Sequence, residues 1–120
     1  MMLSFEQTPE FSKDLKALAK RWRSLPQDII TAQAALHVIY GSGNEEIYRQ
    51  FIAALKATVI TKNNGTEVVK MRLDCKSLGN DKITRLVFVA VKTADTIHLV
   101  ELFAKNDKPR EDPSRYQKYL

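Results

Sequence analysis

The chain has 120 residues, 44% hydrophobic and 28% charged, a balance that fits a single domain over 1–120 and excludes a disordered chain. A domain of this length buries roughly two thirds of its unfolded surface, so it needs no metal or disulfide staple. Cys75 is the one cysteine, which forbids an intramolecular disulfide and suits a reducing cytoplasm. No apolar run approaches the ~18 residues that span a bilayer, and residues 1–6 lack the basic and apolar regions of a signal peptide. A transmembrane or secreted protein is therefore not expected.

Nineteen Lys and Arg against fourteen Asp and Glu give a net charge of +5 and a pI near 9.4. That suits an anionic partner such as RNA, DNA or an acidic protein. Residues 1–24 carry five basic and three acidic side chains, 25–66 three of each, 67–106 seven against five, and 107–120 four against three. The surplus sits at the two ends of the chain.

Leu3-Ser4-Phe5-Glu6-Gln7 alternates apolar and polar and predicts a first strand. Thr8 as N-cap, Pro9 at the first helical position and Glu10 in the first turn predict a helix, with Phe11, Leu15, Leu18 and Trp22 on one face. Ser24-Leu25-Pro26-Gln27 has the spacing of a capping box. The second helix then follows with Ile29, Ala32, Leu36 and Ile39, stopped by Gly41-Ser42-Gly43. Asn44 caps a third helix over 44–55, with Ile47, Phe51 and Leu55 in line. From Ala57 the period changes. Runs 58–61 and 68–73 flank Asn63-Asn64-Gly65, and Asn-Gly between β-rich runs predicts a hairpin pairing 58–62 with 66–70. Residues 83–91 are nearly all apolar after Arg85, which predicts a central strand. A Thr93-Ala94-Asp95 turn leads to a last strand over 96–104, and a short terminal helix opens at Asp112 and ends at Leu120. The order β-α-α-α-β-β-β-β-α is that of an α+β domain with a mainly antiparallel meander.

Strand period two puts Lys70, Arg72 and Asp74 on one face of their strand and Val69, Met71, Leu73 and Cys75 on the other. Adjacent cations repel unless an anion or a carboxylate such as Asp74 lies near. The face is either solvated or a phosphate platform, to which neighbouring strands would add Arg85 and Lys105, with further cations at Lys76 and Lys82. His37 and His98 read as packed or solvated, Cys75 as a core thiol, and Trp22 as core. No metal-ligand spacing and no glycine-rich phosphate loop is present. Glu101 interrupts an apolar strand and needs a partner; an arginine such as Arg85 or Arg72 is expected.

Taken together, several segments resemble the RelE/ParE superfamily of bacterial type II toxin–antitoxin toxins, and within it the RelE/HigB-like branch. They are Val69-Lys70-Met71-Arg72, Cys75-Lys76-Ser77-Leu78, Arg85-Leu86-Val87-Phe88, Ile97-His98-Leu99-Val100-Glu101-Leu102-Phe103 and Lys105-Asn106-Asp107-Lys108. The ending Arg115-Tyr116-Gln117-Lys118-Tyr119-Leu120 and the opening Phe11-Ser12-Lys13-Asp14-Leu15-Lys16 with Trp22-Arg23-Ser24-Leu25-Pro26-Gln27-Asp28 resemble it too. The resemblance spans the first thirty residues and 68–120, while 42–64 has no counterpart in it.

The resemblance implies a helical hairpin packed on a twisted, mainly antiparallel sheet, with a short C-terminal helix. It implies a cytoplasmic toxin of the bacterial stress response, neutralised by a cognate antitoxin protein. It further implies an mRNA interferase, an endoribonuclease that cuts mRNA in the ribosomal A site with no metal, cofactor or membrane. The reaction is attack of a ribose 2′-hydroxyl on the adjacent phosphate, which needs a base, charge stabilisation and an acid. By position, Lys70, Arg72, Arg85 and Lys105 resemble the family's catalytic cations. Lys76, Lys108 and Tyr116 resemble RNA-contacting groups, with the Tyr116 ring stacking on a base. Some relatives carry lysine where Arg72 stands, and arginine cannot act as a base, so Lys70 is the expected base. The superfamily also includes ParE-like gyrase inhibitors, which cut nothing, and the fold suits non-catalytic basic RNA- or protein-binding modules. A sheet face of cations favours the nuclease.

Overall fold

Thr8 starts the first helix in the way its position suggests: its hydroxyl accepts the Phe11 N–H at 3.2 Å, with Pro9 in the first turn. The computed structural model describes residues 3–54 and 57–120. The chain runs β1 (Ser4–Gln7), α1 (Pro9–Ala19), α2 (Leu25–Gly41), α3 (Glu45–Ala53), β2 (Ala57–Asn63), β3 (Thr66–Arg72), β4 (Thr84–Val91) and β5 (Thr96–Ala104). Asn44 caps α3, accepting from the N–H groups of Glu46 and Ile47 at 2.9 and 3.3 Å. Leu55, expected to extend its stripe, lies outside the described residues. Ser24 departs from the expected capping box. Its backbone is already helical (φ −77°, ψ −13°) and it makes no cap, so its hydroxyl donates to Asp28 at 2.7 Å and accepts the Ser77 N–H at 2.8 Å.

The domain is α+β. Its five strands are ordered β1-β5-β4-β3-β2, with β2 to β5 antiparallel and β1 added parallel to β5. The apolar run of β4 is the middle strand, as its composition predicts. In the β2–β3 hairpin Asn64 and Gly65 take φ of 49° and 80°, the two positive values that a tight hairpin turn demands. Thr58 pairs with Lys70 as expected, although the register shifts between Val59 and Thr61.

Alternation along the strands divides the core between two faces. One face packs Val69, Leu73, Leu86, Phe88, Ile97 and Leu99 against Phe11, Leu18, Leu25, Ile29 and Leu36 of the helices. Leu15 and Trp22 pack at its margin, so the predicted stripe of α1 does face the sheet. Burying a side chain such as Phe11 contributes ~1.5–3 kcal/mol. The other face packs Val68, Val87, Val89, Val100 and Phe103 under Tyr116. A register shift between Val87 and Phe88 lets both Val100 and Glu101 serve this face.

The chain beyond β5 forms two 3-10 turns, Pro113–Arg115 and Gln117–Tyr119, rather than the expected terminal helix. Nine residues are too few to sustain a helix alone, and here tertiary anchors fix each turn. Tyr116 is buried, and Arg115 lies 2.5 Å from Asp14 of α1. These anchors also finish the sheet. Because β1 covers only Thr96 to Leu99 of β5, the Leu102 N–H goes to Asp14 at 3.0 Å and the Val100 carbonyl accepts from Arg115 at 3.2 Å. Among the described residues no helix is long and apolar enough to cross a membrane.

Candidate anion-binding site

β3 ends where β4 begins, and the register places Arg72 directly opposite Arg85. Lys105 follows the last residue of β5 at the same end of the sheet, its N–H bonded to the Ile83 carbonyl at 2.9 Å. Lys70, two residues before Arg72, shares its face. The four predicted cations thus line one cleft of about 200 Å³, completed by Ala57, Thr58, Met71, Phe103 and Pro109.

Like charges opposite each other across a ladder are destabilising. Among the described residues no carboxylate lies within 4.0 Å of Arg72, Arg85 or Lys105. Asp74, the expected relief, pairs instead with Lys82 at 2.9 Å. Arg85 is held in place by its donations to the Lys82 and Thr84 carbonyls, at 2.7 and 3.1 Å. Burial, and then the Arg72 charge, pull the Arg85 guanidinium below its ordinary value. This end of the sheet therefore presents fixed, mutually repelling cations that an entering anion would relieve.

Lys70 is the exception, donating to Glu111 at 2.7 Å. Burial alone would raise the Glu111 carboxyl. The hydrogen bond from Lys70, one from its own backbone and the charges of Lys70 and Arg110 instead hold it below the usual carboxylate range. Glu111 comes from the polar loop between Pro109 and Pro113, where no periodicity marks it in sequence.

The three expected RNA contacts do not join the cleft. Lys76 is exposed and opens a 3-10 turn whose N–H reaches Asp28 at 3.3 Å. Lys108 is the ion-pair partner of Glu101, which also accepts the Asp112 N–H at 2.8 Å. Glu101 therefore pairs with a lysine of the C-terminal segment and not with the expected Arg85 or Arg72, because its side chain shares the face that segment covers. Tyr116 is only 8% exposed, so its ring is core and not free to stack on a base. His98 lies 3.2 Å from Glu6 and stacks on Tyr119, while His37 is exposed on α2.

A larger cavity, about 730 Å³, lies at the opposite end of the sheet between the α2–α3 junction and the β4–β5 turn. Beside it the buried Glu67 accepts from Tyr40 at 2.7 Å and Tyr48 at 2.8 Å and lies 3.0 Å from Lys92. Its three partners are all bound, so this network fastens α2 and α3 to the sheet and leaves no group reaching for a ligand. Among the described residues no three His, Cys, Asp or Glu side chains gather as a metal site. No family model matches the chain, and neither a curated protein nor a solved structure matches it.

Proposed function

We propose that the cleft binds the RNA backbone and that the chain is a RelE/HigB-like endoribonuclease, the toxin half of a toxin–antitoxin pair, acting on mRNA in the ribosomal A site. One observation carries this reading: Arg72 faces Arg85 across the ladder with Lys105 beside them and no carboxylate between. Cations arranged so are satisfied by a phosphodiester, to which guanidinium groups donate paired hydrogen bonds. The α1–α2 hairpin over one face of a mainly antiparallel sheet supports a RelE/ParE-like fold.

In this reading Arg72 and Arg85 stabilise the charge that gathers on phosphorus when the 2′-hydroxyl attacks. Neither can take the proton. Lys70, engaged as a donor to Glu111, suits the role of acid toward the leaving 5′-oxygen. Glu111 is then the acceptor for the 2′-hydroxyl proton, the role first expected of Lys70. Expression without a partner should arrest growth, with mRNA cut at ribosome-bound positions. Arg85→Ala should slow cleavage by ~10²–10³, the usual loss of one preorganised charge-stabilising donor. Growth arrest with intact mRNA, or an Arg85→Ala protein that cuts at the normal rate, would overturn the reading.

A further inference from the structure

α2 is the one helix whose outer surface is apolar as well as its inner one. Its inner stripe, Leu25, Asp28, Ile29, Ala32 and Leu36, is buried, and Asp28 is the only charged residue in the helix. The outer surface holds Ile30 and Val38, 57% and 54% exposed, with exposed Ala34 midway between them. By contrast α1 shows Lys13 and Lys16 to solvent, and α3 shows Glu45, Glu46 and Arg49. Helices apolar all round are ordinarily covered.

We propose that a second copy of this chain covers this face, the two α2 helices packing antiparallel about a two-fold axis at Ala34. Charge favours this occupant. Two copies at +5 each repel on approach unless the surfaces that meet carry no charge, and the outer face of α2 carries none. Shape favours it too. A two-fold contact must be self-complementary, and the stripe reads large, small, large at four-residue intervals. Antiparallel packing sets Ile30 against the partner's Val38 twice, while Ala34 meets its own copy at the axis. The helix is ~25 Å long at 1.5 Å per residue, so it buries less than the ~800 Å² per partner of a standard interface. The dimer is accordingly weak and concentration-dependent.

Sedimentation equilibrium of the whole chain between about 10 µM and 1 mM tests this. The expected result is a mass rising from monomer toward dimer, with Val38→Glu and Ile30→Glu each holding the protein monomeric. Both positions are exposed, so the thermal midpoints should stay close to that of the unaltered protein. An Ala34→Cys variant adds a geometric readout. Helix axes ~8–10 Å apart, less two Cα radii of ~2.3 Å, leave ~3.4–5.4 Å between the two Cα atoms, which overlaps disulfide spacing. It should cross-link on mild oxidation at least tenfold faster than Lys16→Cys on α1, with the buried Cys75 silent. A monomer over the whole range, or equal cross-linking rates, would overturn the proposal and leave the face to another protein.

Discussion

If Arg72 and Arg85 await an anion, neutralising one of them should change stability in opposite directions without and with phosphate. Arg72→Met keeps most of the aliphatic stem and removes the charge. Arg72 is exposed, so little packing is lost. Without phosphate, relief of a directly opposed like-charge pair should stabilise the fold by about 0.5 kcal/mol. For 120 residues, an unfolding entropy of ~2.1 cal/mol/K per residue gives ~250 cal/mol/K, so the thermal midpoint should rise ~2 °C at low salt. The rise should fade at high salt, where exposed charges are screened. With phosphate at tenfold its Kd, the unaltered protein should gain RT ln 11, about 1.4 kcal/mol or ~6 °C. Losing one charged donor weakens binding by ~1.5–3 kcal/mol, so the variant should gain less than ~2 °C at that phosphate concentration. Differential scanning fluorimetry against chloride of equal ionic strength reads both effects. A variant that melts lower at low salt, or keeps the full phosphate response, would refute the unrelieved-pair account of the cleft.

Burial pushes up all four tyrosines, Tyr40, Tyr48, Tyr116 and Tyr119, and Glu67 adds its charge and hydrogen bonds at Tyr40 and Tyr48. A folded value above the unfolded value near 10 means that their contribution is complete below pH 10 and is lost as pH rises beyond it. Phenolate absorbance should therefore appear only together with loss of far-ultraviolet circular dichroism; phenolates forming near pH 10 in a folded protein would contradict this. Lys108→Met should leave Glu101, 1% exposed, with only the Asp112 N–H, costing ~3 kcal/mol in urea unfolding. Adding Glu101→Leu should recover most of that loss, and a single variant within ~0.5 kcal/mol of the parent would show the pair to be dispensable.

Local chemistry made much of this protein legible from its sequence. Thr8 and Asn44 cap helices because their short oxygens reach N–H groups within the next three residues, and Asn64-Gly65 turns because it tolerates two positive φ values. Period two put Lys70 and Arg72 on one face, and short hairpin connections made their strand a neighbour of Arg85. These are short-range facts, and a sequence states them directly. What joins distant residues was decided by the tertiary structure. β1 pairs parallel with β5 across most of the chain, and Arg115 reaches back to Asp14 to close the β5 edge. Glu101 met a lysine because the C-terminal segment folds over its face, and the same folding buried Tyr116 and brought Glu111 to Lys70. Glu67 reads as an ordinary polar strand residue until α2 and α3 lay two tyrosines over it. A polar side chain carries no periodic signature of its partner, so which carboxylate meets which cation is fixed only when the loops close.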